Sequence, residues 1–381
     1  MRTMITAPMD EQNELIKKLE QEDSTNARRI LKLLHMPDLT EVENHPIKLM
    51  KDRIVSLPRY KEFDIITIPE IVSTEIMFDT YNFPKDHPAR SESDTYYVDA
   101  DHVLRPHTSI MWWYYLETPG IREKLEKKWS VGIISYGKVY RKDEIDKSHH
   151  TVFHNIDAIY IAKKSKEQIG RETLEGVLNE LAEAIYKDTY ERMILEDFNP
   201  YTDPTLEVEV QYQWKWLELL GSGVLRPELL TLLNLDPEEY NAWAWWPGLE
   251  RLVMPKMQIP DIRIFRSEDE RITNQRWDLE KTYQDVSKYP STYRDISFLI
   301  PASTHLNNYY TLIRDIAGDM VEEVQLLDKY ENAEKFWADR VSYTFRIVYR
   351  SHDRTLMNDE VNTLQEEIRK ETVEQLGAEL R

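Results

Sequence analysis

The sequence predicts an α+β fold in two parts, on three observations. Short runs rich in β-branched and aromatic residues, separated by Pro, Gly, Asp and His, recur between residues 63 and 221. Longer segments with apolar residues three and four positions apart, typical of amphipathic helices, lie between them. Residues 288–381 follow the order βαββαβ of the ferredoxin-like fold. A chain of 381 residues has room for two domains, because a domain usually takes roughly 100–200 residues.

The first part begins with a charged helical extension, residues 1–44, followed by a large domain, residues 45–265. A helix from Ile47 to Leu57 starts after Pro46, whose ring suits a first helical turn. Further helices are predicted at 166–187 and 247–257, and strands at 63–68, 96–98, 131–136, 158–162 and 206–221.

The second part follows a polar segment, residues 266–287, which has few large aliphatic side chains and is interpreted as a linker. The domain at 288–381 has predicted strands at 294–301, 321–330, 341–349 and 378–381, and helices at 306–321 and 359–376. In the strand at 341–349, apolar and polar residues alternate, which indicates one buried and one open face.

Composition excludes several classes of protein. The 69 acidic and 49 basic residues give a net charge of -20, which disfavours DNA or an anionic membrane as a partner. The absence of cysteine excludes disulfides, thiolate catalysis and cysteine-ligated metals. No apolar run approaches the roughly 20 residues of a membrane-spanning helix, and the N-terminal stretch is unlike a signal or organellar presequence. We therefore expect a soluble cytoplasmic protein.

Four segments carry residues suited to chemistry: 105–109, 137–157, 199–223 and 242–263. Singly, each has a structural interpretation. The histidines at 149, 150 and 154 do not have the spacing of a known zinc site, and the tryptophan clusters are typical of cores. Neither common glycine-rich phosphate loop occurs. Together, however, Arg141 and Arg251 could clamp a polyphosphate, with Asp143 and Glu218 contacting adenine or Mg²⁺.

In their order, these segments resemble the catalytic core of the phenylalanyl-tRNA synthetases, a family of class II aminoacyl-tRNA synthetases. FDTYNFPKDHPARSESDTYYVD with LRPHTS is similar to the entry of that active site, GKVYRKDEID with VFH to motif 2, and PGLERLVM with IPDIR to motif 3. KYPSTYRDISFLIP, DRTLMNDEVN and LGAELR resemble the C-terminal anticodon-binding domain. The resemblance covers residues 45–381 and is greatest to the single-chain mitochondrial form. It implies an antiparallel class II sheet flanked by helices, and the organellar matrix as a second candidate compartment.

The resemblance also implies individual roles. Arg141 matches the motif 2 arginine that grips the α-phosphate and the amino-acid carboxylate, and Arg251 matches the motif 3 arginine on the γ-phosphate side. These two are the catalytic candidates, and Phe153 matches the aromatic residue stacked on adenine. The other implied ATP contacts are Asp143, Ser148, His149 and Glu218, the last also as the Mg²⁺ ligand. The implied amino-acid pocket consists of His107, Ser109, Trp112, Asn155, Asp157, Asn199, Tyr201, Ala244, Trp245 and Trp246.

The implied function is an ATP- and Mg²⁺-dependent ligase that forms an aminoacyl-adenylate and transfers the amino acid to the 2′-hydroxyl of tRNA. The pocket departs from the family, because Trp246 replaces a glycine and Asn199 a phenylalanine. An indole there would obstruct a benzyl ring, and an amide would need a polar partner. Two alternatives therefore stay open: the same reaction with a smaller or more polar amino acid, and a paralogue that binds tRNA or adenylate without charging tRNA.

A tRNA partner conflicts with the acidic C-terminal domain unless a local patch is basic. Arg346, Arg350 and Arg354 recur at four-residue intervals and are candidates for such a patch. The structural interpretation is a solvated edge.

Overall fold

The computed structural model describes residues 2–142, 147–187, 191–212, 215–275, 277–304, 306–331, 340–351 and 354–381. Asp143, predicted to contact ATP, lies outside these residues. The chain divides into two compact units, Met1–Tyr283 and Gln284–Arg381. Within the part of the chain that is described, every helix is too short or too polar to traverse a bilayer.

The larger unit is built on a mixed sheet. Its strands are β1 Met4–Thr6, β2 Asp64–Thr67, β3 Ile71–Ser73, β4 His102–Leu104, β5 Ser130–Tyr140, β6 Val152–Lys163, β7 Arg192–Asp197, β8 Thr202–Tyr212, β9 Lys215–Leu225 and β10 Tyr240–Trp245. Its helices are α1 Asp10–Gln21, α2 Thr25–Leu34, α3 Pro46–Val55, α4 Met111–Leu116, α5 Ile121–Lys128, α6 Arg171–Tyr186, α7 Pro227–Leu232, α8 Leu249–Met257 and α9 Glu270–Thr273.

Eight of these strands form one sheet in the order β1-β2-β5-β6-β10-β9-β8-β7, and β3 pairs with β4 separately. The predicted α+β class is confirmed. The sheet is antiparallel from β5 to β7, as expected, but β1 and β2, and β2 and β5, pair in parallel. Parallel pairing needs a long crossover, and the stretches 7–63 and 68–129 supply one each.

Several predicted strands have other bounds in the structure. The strand expected at 206–221 is the hairpin of β8 and β9, and the strand expected at 96–98 is reduced to an isolated bridge from Tyr97 to Val103. The strands expected at 131–136 and 158–162 extend to form the long β5–β6 hairpin. Four of the described helices, α4, α5, α7 and α9, were not predicted because each is too short for a helical period to be visible.

Buried side chains hold the N-terminal helices on the larger unit. Leu15, Leu19 and Ile30 of α1 and α2 pack in one cluster with Tyr140 and Val152, at the end of the β5–β6 hairpin next to its connecting loop. At the C-terminal end of this unit in the sequence, the segment expected to be a linker contributes the buried side chains of Ile272, Leu279 and Tyr283.

The second unit has the predicted βαββαβ order. Its elements are β11 Thr292–Pro301, α10 Leu306–Ala317, β12 Val321–Tyr330, β13 Arg340–Tyr349, α11 Asn358–Leu376 and β14 Glu379–Leu380. The strands form a sheet in the order β12-β13-β11-β14, with Phe298, Tyr309 and Phe345 in the core beneath it. This is the ferredoxin-like arrangement expected from the sequence.

Candidate active site

A cleft of about 320 Å³ opens on the larger unit, where β6, β9 and the start of α8 converge. The predicted site residues that line it are His107, Ser109, Arg141, Ser148, His149, Phe153, Asn155, Tyr201, Glu218, Trp246 and Arg251. It is also lined by His150, Leu219, Leu220, Gly221, Gly248, Glu250 and Ile262, which were not assigned to the site. The four sequence segments therefore do converge on one cavity.

Arg141 and Phe153 form one wall of the cleft. Arg141 follows β5 directly, and Phe153 lies near the start of β6, so the hairpin brings the two together. The guanidinium lies 5.3 Å from the centroid of the Phe153 ring, and its Nε donates to the carbonyl oxygen of Pro106 at 3.0 Å. Arg141 is thus held at a fixed orientation beside an aromatic face. An adenine ring could stack on such a face, with a phosphate on the guanidinium.

Arg251 and Glu218 belong to a second wall. Arg251 lies in the first turn of α8, and its Nη1 donates to the backbone oxygen of Glu218 at 3.4 Å. The register of β8 and β9 shifts between Val208 and Glu209, so that Glu218 and Leu220 pair with adjacent residues and Leu219 is the extra residue. Bulges of this kind re-aim side chains beside active sites. Here four successive residues, Glu218 to Gly221, line the cleft.

Aromatic rings form the deep end of the site. The Trp246 ring centroid lies 5.4 Å from that of Tyr201 and 6.5 Å from that of Trp112. The backbone N–H of Trp246 donates to the oxygen of Gly221 at 3.0 Å, and a Cβ on Gly221 would lie 2.6 Å from the indole Nε1. A glycine at 221 therefore gives the indole room to lie against β9, and Gly221 was not among the predicted site residues.

His107 and Trp112 carry buried nitrogen atoms without partners. Within the described residues, neither Nδ1 of His107 nor Nε1 of Trp112 has a hydrogen bond. Burial, with Arg141 nearby, lowers the pKa of His107 to about 3, so the imidazole is neutral at neutral pH. Trp112 is wholly buried behind Tyr201 and does not line the cleft, although it was expected in the pocket.

Asp157 lies behind Ser109. Its two carboxylate oxygens accept hydrogen bonds from the hydroxyls of Ser109 and Thr108, and its side chain is wholly buried. Burial raises the pKa of Asp157 to about 7, although both hydroxyls act in the opposite direction. Asp157 therefore reaches the cleft only through Ser109. Because the Ser109 hydroxyl donates to Asp157, its lone pairs remain for an ammonium donor in the cleft.

Three residues expected in the amino-acid pocket lie elsewhere. Asn199 does not line the cleft, because its Oδ1 accepts from the backbone N–H of Tyr201 at 3.2 Å and from the N–H and hydroxyl of Thr202 at 2.9 and 2.7 Å. Trp245 packs on the opposite face of the sheet, where its Nε1 donates to the Tyr60 hydroxyl at 3.0 Å. Ala244 lies in the apolar cluster beneath the pocket.

The carboxylates near the cleft do not form a ready metal cage. Within the described ranges no group of three or more His, Asp or Glu side chains is arranged to hold a metal ion. Glu218 is the predicted ligand and lines the cleft, and burial together with Glu218 and Asp197 raises the pKa of nearby Glu207. A site with one or two carboxylates still suits Mg²⁺, which usually keeps waters and binds substrate phosphates. The predicted ligand therefore fits Mg²⁺ brought in with a polyphosphate.

Comparisons with known protein families give matches that together cover almost the whole chain. The family model of the class II tRNA synthetase core domain (F) matches residues 32–276, and the model of the ferredoxin-fold anticodon binding domain matches residues 287–381. The chain is 36% identical over 355 residues to the chloroplastic/mitochondrial phenylalanine--tRNA ligase of Arabidopsis thaliana, which covers 89% of this chain and 79% of the relative.

Two further relatives are mitochondrial phenylalanine--tRNA ligases. That of Saccharomyces cerevisiae is 33% identical, with 89% of this chain and 88% of the relative covered, and that of Mus musculus is 31% identical, with 95% and 87% covered. A solved pyrrolysyl-tRNA synthetase from Desulfitobacterium hafniense aligns with a TM-score of 0.45 and 18% identity over 65% of this chain and 81% of that chain.

Proposed function

The chain belongs to the phenylalanine--tRNA ligase family of class II tRNA synthetases, and we propose that it activates phenylalanine with ATP and transfers it to tRNA. The observation that carries the proposal is the cleft in which Arg141, stacked on Phe153, and Arg251 meet the aromatic pocket of Tyr201 and Trp246. In such a cavity Phe153 would stack on an adenine, the two arginines would bind a polyphosphate, and Tyr201 and Trp246 would contact an aromatic side chain.

The first reaction needs positive charge more than it needs a nucleophilic side chain. The amino-acid carboxylate attacks the α-phosphorus of ATP, an oxygen–phosphorus bond forms, and pyrophosphate leaves. Both reactants are anions, so Arg141 and Arg251 would hold them together and stabilise the charge that develops. Bound Mg²⁺ would offset further phosphate charge, with Glu218 as its protein ligand. In the second reaction a ribose hydroxyl of tRNA attacks the acyl carbon, and AMP leaves.

Phenylalanine is supported over the alternatives by the pocket and by the relatives. Tyr201 and Trp246 line the cleft with their ring centroids 5.4 Å apart and with the buried Trp112 behind them, and such ring faces and edges suit a further aromatic ring. A more polar amino acid would need the amide of Asn199 as its partner, but the amide oxygen of Asn199 accepts three hydrogen bonds from its own turn. The names of the relatives favour neither a different amino acid nor a paralogue without activity.

The test is amino-acid-dependent ATP–pyrophosphate exchange with each common amino acid, followed by charging of tRNA. We expect phenylalanine to give the fastest exchange. Arg141→Ala should slow it by two to three orders of magnitude, because a preorganised charge contact contributes about 2.7–4 kcal/mol. The control is Arg369→Ala, at an exposed position of α11, which should leave exchange unchanged. Wild-type protein without phenylalanine-dependent exchange would contradict the proposal.

The compartment and the domain limits remain proposals. The relatives are named for mitochondria and chloroplasts, which supports the organellar matrix over the cytoplasm, and fluorescence microscopy of the tagged chain in its host would decide between them. For the domains we retain a catalytic region at 45–265 and an anticodon-binding domain at 288–381, joined through 266–287 and preceded by the helical extension at 1–44.

A further inference from the structure

A buried histidine links three elements behind the cleft. His154 lies on β6 between Phe153 and Asn155, which both line the cleft, but its own side chain points to the opposite face of the sheet and is wholly buried. Its Nδ1 lies 2.6 Å from Oε1 of Glu250, and its Nε2 accepts the backbone N–H of Leu39 at 3.0 Å. These two contacts define the tautomer: Nδ1 carries the proton and donates to Glu250.

Glu250 connects this histidine to the helix that carries Arg251. It lies in the first turn of α8 and is buried, and its second oxygen accepts the backbone N–H of His154 at 2.9 Å. One carboxylate therefore holds both the ring and the backbone of His154. The backbone N–H of Ile156 also donates to the oxygen of Pro247 at 3.2 Å, so β6 and the start of α8 are joined along several residues.

On its other side, His154 meets a segment that crosses the back of the hairpin. We call residues 34–39 the back segment. Lys138 Nζ donates to the oxygens of Leu34 and Met36 at 2.6 and 2.9 Å, and Arg266 Nη1 donates to the oxygen of Pro37 at 3.2 Å. Three of the residues that precede Leu39 are thus held independently of His154. The back segment is a rigid support against which the imidazole can be positioned.

We propose that His154 is a positioning residue, which, through Glu250, sets Arg251 of α8 at the correct distance from Phe153 of β6. The inference rests on the proposed function, because it takes these two side chains to contact the same ATP. A carboxylate bonded at both oxygens to one residue leaves α8 little freedom to shift relative to β6. A misplacement of about 1 Å at a distant support can cost on the order of 10²-fold in rate.

Two substitutions separate the contacts of His154. In His154→Asn, the amide N–H takes the place of Nδ1–H and still donates to Glu250, whereas the contact with Leu39 is lost. In His154→Gln, the longer amide reaches the place of Nε2 and accepts from Leu39, whereas the donor to Glu250 is lost. We expect His154→Gln to weaken ATP binding at least tenfold, and His154→Asn to weaken it less than about threefold, with the Kd of phenylalanine little changed in both.

The measurement is calorimetric binding of ATP–Mg²⁺ and of phenylalanine to the full chain, together with the KM of each in pyrophosphate exchange. Tyr186→Phe is the matched control, because the Tyr186 hydroxyl donates to the oxygen of Leu252 in α8 at 2.7 Å, away from Glu250. It should lower the melting temperature and leave the Kd of ATP unchanged. Each variant is first checked for folding by its thermal transition.

The outcomes separate this inference from the proposed function. If the two histidine variants weaken ATP and phenylalanine alike, or if neither weakens ATP, His154 is a structural residue and the inference is overturned. Wild-type protein that binds ATP but gives no exchange would contradict the proposed function, while the Kd values of the two variants would still decide the role of His154.

Discussion

Gly221 shows how one residue can decide what a neighbouring side chain does. From the sequence, Trp246 was expected to obstruct the pocket because it replaces a glycine. In the structure, a different glycine lies under the indole, and its missing Cβ leaves the ring room against β9. The volume of the pocket depends on both Gly221 and Trp246, and not on Trp246 alone.

A substitution at Gly221 tests this arrangement. Gly221→Ala would place a methyl group 2.6 Å from Nε1 of Trp246, and a rigid indole must rotate to make room. We expect the KM of phenylalanine to rise by a factor that corresponds to a loss of about 1–3 kcal/mol in binding free energy. The KM of ATP should change less. Steady-state exchange kinetics measure both.

The double variant Gly221→Ala with Trp246→Gly is the control, because it removes the clash and should recover much of the lost affinity. An unchanged KM in Gly221→Ala would show that the indole moves freely and does not define the pocket.

The buried carboxyl of Asp157 predicts a pH effect on stability. Its pKa is raised from 3.8 to about 7, so the folded protein keeps this proton at pH values where the unfolded chain has lost it. Between pH 4 and 7 the folded state therefore binds more protons, and this group lowers the free energy of unfolding as the pH rises. Asp157→Asn removes the effect and should stabilise the protein at pH 8 more than at pH 5.

Denaturant unfolding at both pH values measures the difference, with Asp203→Asn at an exposed position as control. Equal effects of Asp157→Asn at the two pH values would mean that this carboxyl titrates normally.

The roles of residues at the ends of strands and helices were predictable from the sequence. They were less predictable where a side chain can instead form hydrogen bonds within its own turn. Arg141 follows the end of β5, Phe153 lies near the start of β6, and Arg251 lies in the first turn of α8. These element ends border the cleft, so the three side chains line it. Asn199 was misassigned because asparagine before a turn readily bonds the backbone two and three residues ahead. Trp245 was misassigned because alternation along a strand puts neighbouring residues on opposite faces.

Among the elements, α3 begins with an unusual cap. His45 is its N-cap residue, and the ring Nδ1 accepts the backbone N–H of Ile47 at 3.2 Å while Nε2 contacts the oxygen of Phe265 at 2.9 Å. Pro46 follows at the first helical position, as its fixed geometry favours. The cap thus also ties α3 to the segment that follows α8.

This cap requires a neutral imidazole. Burial lowers the pKa of His45 from 6.5 to about 4, so the unfolded chain binds more protons between those pH values and stability is lost as the pH falls through that window. His45→Asn keeps an acceptor for the Ile47 N–H without the titration. We expect its unfolding free energy to fall less steeply between pH 6.5 and 4 than that of the wild type, as measured by denaturant melts.

His107 has a similarly lowered pKa and contributes to the same acid sensitivity, so a reduced slope is expected and not a flat one. An identical slope in wild type and His45→Asn would exclude His45 as a contributor.

Element prediction succeeded where the pattern was local. The βαββαβ unit was predictable because its strands and helices carry long, clean periods. The pairing of β1 with β2 was not, because residues 4–6 and 65–67 are brought together by contacts that no local period records. The β8–β9 hairpin was merged into one strand because the sequence there, QYQWKW, contains none of the usual turn residues.

At the scale of the whole molecule, the division into two units predicts separable activities. Among the residues that the structure describes, those lining the cleft all belong to Met1–Tyr283, and Gln284–Arg381 has a core of its own. Deleting residues 284–381 should therefore retain phenylalanine-dependent pyrophosphate exchange and abolish charging of tRNA. Filter-binding of charged tRNA with both proteins checks this, and a truncated chain that charges tRNA as fast as the full chain would contradict the assignment.

Acidic side chains also pair with the three arginines that were candidates for a basic patch. Arg346 forms bonds of 2.8 and 2.9 Å with Asp295, Arg350 lies 2.9 Å from Glu322, and Arg354 donates to Glu360 at 2.7 Å. Each arginine therefore faces a carboxylate, which favours the interpretation as a solvated edge. The spacing in the sequence identified the arginines. It could not identify the carboxylates that pair with them, because these lie on other elements.

The alternation along β10 has an optical consequence. Trp243 and Trp245 are buried on one face of the sheet, among Tyr160, Phe63 and Tyr60, whereas Trp246 turns into the cleft. The emission of the first two should stay constant when a substrate binds, while that of Trp246 should change in intensity or wavelength. The chain thus carries its own fluorescent reporter of pocket occupancy, and Trp246→Phe would silence it and leave the background of the other indoles in place.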